Sequence, residues 1–144
     1  MILKVSQLPQ FEWEKISEEA FVASFGSFRP KDLERYDFAL MLERFDGEEK
    51  DIAAFITCKE MDSETLYWQF GGVLPKYEKT CPVYTGYQKF ILWAKERYKR
   101  VTTRIENKNY PMLKMAMRAG FLVVGTYAHK DKLYLELVNE FDRA

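Results

Sequence analysis

The chain has 144 residues, 47% of them hydrophobic and 16% aromatic, with 22 basic and 22 acidic side chains. That length makes one domain, residues 1–144, and the apolar fraction is enough for a buried core, which excludes a disordered chain. One histidine and two isolated cysteines, Cys58 and Cys81, give no metal-ligand cluster. The start MILKV has no signal-peptide pattern and no apolar run reaches transmembrane length, so reduced thiols in a cytoplasmic protein away from membranes are expected.

The zero net charge hides an asymmetry. Residues 1–78 carry sixteen acids and nine bases, and residues 79–144 carry six acids and thirteen bases. Between Lys89 and Arg118 the only acids are Glu96 and Glu106. A solvated helix face is the ordinary explanation. The functional alternative is a surface for a polyanion, either a phosphorylated cofactor or nucleic acid, which charge alone does not separate.

In chain order, MILKVSQL suits a strand that Pro9 and Gln10 interrupt. Trp13, Ile16, Ala20 and Ser24 recur at helical spacing, which predicts a helix from Phe11 to Phe25 that Gly26 ends. RPKDLERY, with Pro30 in its first turn, predicts a second helix. DFALMLERF, DIAAFITCKE and TLYWQFGGV then read as three strands joined by the turns DGEEKD and MDSE. Gly71 and Gly72 mark a bulge or a close approach of something to the backbone.

After the loop KYEKTCPVYT, Thr85 and Gln88 fit a capping box, with Tyr87, Phe90, Ile91, Ala94 and Tyr98 as the apolar stripe of the helix. Arg100–Glu106 is a β-branched strand. The next helix is predicted to bury Met112, Leu113, Ala116 and Met117, and to stop at Gly120. A closing hairpin turns at His129–Lys132, with Leu133, Leu135 and Leu137 on its buried side.

The order is β-α-α-β-β-β-α-β-α-β-β, a mixed α/β (α+β) arrangement. With Val73-x-Pro75, Asn109 and Gly120-Phe121, it resembles the GNAT superfamily of N-acetyltransferases, including degenerate members found in bacteriophages. The resemblance covers the whole chain by element order, and Leu66–Val138 by pattern. It implies a sheet whose fourth and fifth strands splay apart, and acetyl-CoA as cofactor. Gly72 and Val73 would lie along its pantetheine arm, and Asn109, which opens the helix after the fifth strand, would also bind the cofactor. Thr85, Gly86, Tyr87 and Gln88 would present a helix N-terminus to its phosphates, since free amides there attract anions.

Two positions depart from the family. Its phosphate-loop positions fall on Glu78, Cys81 and Val83 by direct count, or bring Gly86 onto one glycine if residues are inserted. Its tyrosine acid falls on Ala116. Tyr127 and Tyr110 are the candidate replacements, with Tyr84 behind them. The resemblance thus implies an N-acyltransferase acting on an amine of a small molecule or protein. The alternative is a catalytically silent GNAT-fold binding or structural protein, including a virion component. Acidic residues from Glu12 to Glu34 would suit a cationic acceptor. Exposed phenylalanines (Phe11, Phe21, Phe25 and Phe28) suggest a homodimer.

Overall fold

The computed structural model describes residues 2–14, 35–73 and 82–141. Among the described residues seven strands form one sheet: β1 (Ile2–Pro9), β2 (Phe38–Asp46), β3 (Glu49–Glu60), β4 (Thr65–Val73), β5 (Arg100–Glu106), β6 (Leu122–His129) and β7 (Lys132–Glu140). Their spatial order is β1-β2-β3-β4-β5-β7-β6. Only β4 and β5 are parallel; every other neighbouring pair is antiparallel. Two helices, α1 (Pro82–Lys95) and α2 (Tyr110–Arg118), flank β5 in the chain. The predicted first helix is seen at its start, residues 10–14, and the rest of it lies outside the described residues, as does most of RPKDLERY.

Side-chain alternation sorts the core into two layers. On one face Phe38, Leu40 and Leu42 of β2, Leu66 and Trp68 of β4, and Val101 and Ile105 of β5 pack with Tyr87, Phe90, Trp93 and Ala94 of α1 and with Leu113 and Ala116 of α2. On the other, Ala39, Met41 and Phe55 pack with Trp13 and Tyr36. Trp13 is fully buried, its ring 5.2 Å from that of Phe55. This explains why the middle of β3, Ala53–Cys58, is an unbroken buried run: a strand covered on both faces has no polar side to show. Among the described residues no helix is long and apolar enough to cross a membrane.

One turn is tighter than the sequence suggested. Strands β2 and β3 run on to Asp46 and Glu49, leaving a two-residue turn at Gly47, whose φ of +67° suits glycine. The last hairpin turns at Lys130-Asp131 as expected, but Leu133 beside it is 40% exposed, because the layer thins towards the tip. Met117, expected inside, is 54% exposed; α2 buries only Leu113 and Ala116 on its narrow inner stripe.

Candidate functional site: the fork between β4 and β5

Strands β4 and β5 pair only from Thr65–Arg100 to Trp68–Thr103. The last rung is locked by the Thr103 hydroxyl, which donates to the Trp68 carbonyl at 2.9 Å. Beyond it, Phe70–Val73 of β4 stay paired with β3, while no further rung to β5 occurs among the described residues. A strand with one unpaired edge exposes a row of N–H and C=O groups to whatever fills the gap.

A bulge helps to create the gap. Thr57 of β3 faces Phe70 and Cys58 faces Trp68, so Gln69 is the extra residue. The Thr57 hydroxyl lies 3.2 Å from both the Gln69 Oε1 and the Phe70 carbonyl. The inserted residue reverses the alternation: Leu66 and Trp68 face the helices, whereas Phe70 packs on the opposite layer. The bulge therefore sits at Gln69, ahead of the glycines. Gly71 serves a close approach within the sheet: a Cβ there would lie 2.9 Å from the Phe55 carbonyl oxygen. Gly72 and Val73, expected along a pantetheine arm, lie past the last β5 rung and pair with Phe55 and Ala54 of β3.

The helix predicted to start at Thr85 starts one turn earlier, at Pro82. Proline loses nothing in a first helical turn, so it can open the helix ahead of the Thr-x-x-Gln pattern. Thr85, Gly86, Tyr87 and Gln88 thus lie inside α1, with the amides of Gly86, Tyr87 and Gln88 in its hydrogen-bond ladder. Gly86 is needed for packing, because a Cβ there would collide with the Leu42 side chain. The free amides of the first turn are those of Val83 and Tyr84. The guanidinium of Arg118, from the end of α2, lies 4.3 Å above the Tyr84 ring.

Helix α2 is held at both ends. The Asn109 side chain accepts from the Met112 amide at 3.3 Å, as an N-cap should. At the other end Phe121 N donates to the Ala116 carbonyl at 3.0 Å and Gly120 N to that of Met117 at 3.1 Å, a Schellman motif with Gly120 at φ +108°. The buried Asn139 side chain ties to the Ala119 carbonyl. Ala116 is fully buried, and Phe121, 1% exposed, packs into the cluster that also holds Trp68 and Tyr87.

The two predicted acids are elsewhere. Tyr110 opens α2 and is 65% exposed. Tyr127 pairs with Tyr134 on the face away from the helices, with the Arg104 guanidinium 3.9 Å over its ring. Arg104 also meets Glu136 at 3.7 Å, and Arg100 meets Glu140 at 3.0 Å. Carboxylates of β7 thus answer two cations of the basic stretch, so β5 presents no continuous phosphate-tracking stripe. Burial pushes the Cys58 thiol pKa well up, so it stays a neutral core residue. Cys81 lies outside the described residues. No group of histidine, cysteine or carboxylate side chains suited to a metal occurs among the described residues.

Sequence reasoning missed Gln69 and the outward-turned Phe70. The only signal was parity: apolar residues at 66, 68, 70 and 73 cannot all face one side of a regular strand.

No family model matches the chain, and no curated protein matches it by sequence. Solved structures do. The ribosomal-protein-S18-alanine N-acetyltransferase of Escherichia coli superposes with a TM-score of 0.75 at 14% identity, covering 99% of this chain and 96% of its own. The IAA acetyltransferase of Bacillus cereus gives 0.73 at 11% identity, covering 96% and 99%. Arabidopsis thaliana NAA60, solved with acetyl-CoA, gives 0.69 at 14% identity, also over 96% and 99%. With the splayed β4–β5 pair and the shared architecture, the chain has the fold of the GNAT N-acetyltransferases.

Proposed function

We propose that the protein is an acetyl-CoA-dependent N-acyltransferase acting on an amine. The observation that carries this reading is the fork: among the described residues β4 parts from β5 after Trp68, beside two helices that cover the same face. An extended amide-bearing arm can lie there as an added strand would, bonding to backbone that β5 does not reach at Gly71 and Gly72. The described residues fit such a ligand, since the glycines at 71 and 72 line the gap beyond the last β4–β5 rung. The amides of Val83 and Tyr84, with Arg118 beside them, supply positive potential for the diphosphate. The start of α1 at Pro82 favours the direct count of the phosphate loop, which places Val83 at its last position.

The bound thioester would supply an activated acyl carbon, and the chain's task is to hold it and admit a neutral amine. The opposite face of the sheet, with Tyr127, Tyr134, Arg104 and Glu136, is the side left for the acceptor, a small molecule or a protein amine. One observation favours the silent alternative, a GNAT-fold binding or structural protein: Ala116 presents no hydroxyl where the family carries its acid.

Thermal unfolding with acetyl-CoA tests the reading. A ligand at a hundred times its dissociation constant stabilises by about 2.7 kcal/mol. No shift at roughly millimolar acetyl-CoA would sink the acyltransferase reading, because RT ln(1 + [L]/Kd) would be near zero. Binding without thiol release across a panel of polyamines, aminoglycosides and peptides would favour the silent module.

A further inference from the structure

Two buried side-chain donors have no hydrogen-bond acceptor among the described residues: the Trp68 indole Nε1 and the Tyr87 Oη. Trp68 is 4% exposed and Tyr87 5%, and their rings meet edge to face at 5.6 Å. An indole N–H can only donate, and a buried phenol costs stability unless its proton finds an acceptor. Such atoms in a native core call for an explanation.

Their position offers one. Trp68 is the last residue of β4 that pairs with β5, so its ring and the Tyr87 ring against it belong to the residues nearest the point where the strands part. The Tyr87 ring lies 6.3 Å from that of Phe121, whose amide is bonded to the Ala116 carbonyl. The hydroxyl that α2 does not provide at position 116 is therefore present nearby on α1. Neutral donors beside such a fork suit an acceptor atom that gains negative charge.

We propose that Tyr87, flanked by Trp68, is the donor to the sulfur of an acyl thioester lodged in the fork; this rests on the acyltransferase reading above. In the transfer the acceptor nitrogen bonds to the acyl carbon and the carbon–sulfur bond breaks with its electron pair on sulfur. Sulfur takes the Tyr87 Oη proton, and the proton shed by the nitrogen restores the phenol. Burial, with a smaller contribution from Tyr84, pushes the Tyr87 pKa far up, so the hydroxyl remains a donor throughout the neutral range.

Calorimetric titration of the full chain with CoA and with desulfo-CoA tests this without turnover. The wild type is expected to prefer CoA about fivefold at pH 7, the value of one ordinary hydrogen bond, and by more at pH 9 as the thiol ionises. In Tyr87→Phe the preference should fall to unity while desulfo-CoA affinity stays unchanged, which shows the rest of the site intact. Trp68→Phe should reduce the preference in part, and it decides the matter if Tyr87→Phe does not fold. An undiminished preference in the folded variant, or none in the wild type, overturns the role of Tyr87 and leaves the acyltransferase reading standing. Failure of the wild type to bind either ligand removes both.

Discussion

The two halves of β4 differ in how many neighbours they have. Thr65–Trp68 is paired on both sides and its side chains close the core, whereas Gln69–Val73 has β3 on one side and the fork on the other. A few residues separate a stretch that can only be scaffold from one free to meet a ligand. The transition is built from three devices: the Thr103–Trp68 lock, the bulge at Gln69, and the close approach of Gly71 to β3.

The sharpest way to break this division is at the closed half. Phe121→Ala should cost about 3–5 kcal/mol by emptying a site against Trp68 and Tyr87, measured as a fall in the urea midpoint at constant slope. A smaller loss would mean that the cluster around Trp68 collapses easily and does not brace the fork.

Gly71→Ala tests whether a glycine in the open half serves the ligand or the sheet. The new methyl would press on the Phe55 carbonyl, and overpacking of this kind costs about 1–3 kcal/mol. Stability should fall while acetyl-CoA affinity of the folded protein is kept. The reverse result, weaker binding at an unchanged midpoint, would move Gly71 into the site and the boundary of the scaffold with it.

The smallest effect is expected at Asn109→Ala, which removes an exposed N-cap worth about 1 kcal/mol. Denaturation should register that loss, and ligand titration should register none. A drop in affinity alone would assign Asn109 to the cofactor.

Much of this was legible in the chain. The bounds of β4 and β5 and the Asn109 cap followed from β-branched runs and capping chemistry, and the Gly120 stop from the preference of a helix end for glycine, all of which act over a few residues. Less legible was the start of α1, where two local signals competed and the proline, able to open the helix earlier, prevailed over the Thr85 cap. Met117 shows the same limit: helical periodicity predicts a stripe, but only the width of the neighbouring surface decides how much of it is covered.

The sequence alone determined the order of elements and the resemblance that order carries, because turn, cap and alternation preferences are local and strong. Only the tertiary structure decided where β4 leaves β5, that Gln69 is the bulge, and that the hydroxyl absent at Ala116 has a counterpart at Tyr87. Those facts depend on pairing between strands about 35 residues apart and on which buried donors are left without an acceptor, and no window of the chain contains both partners.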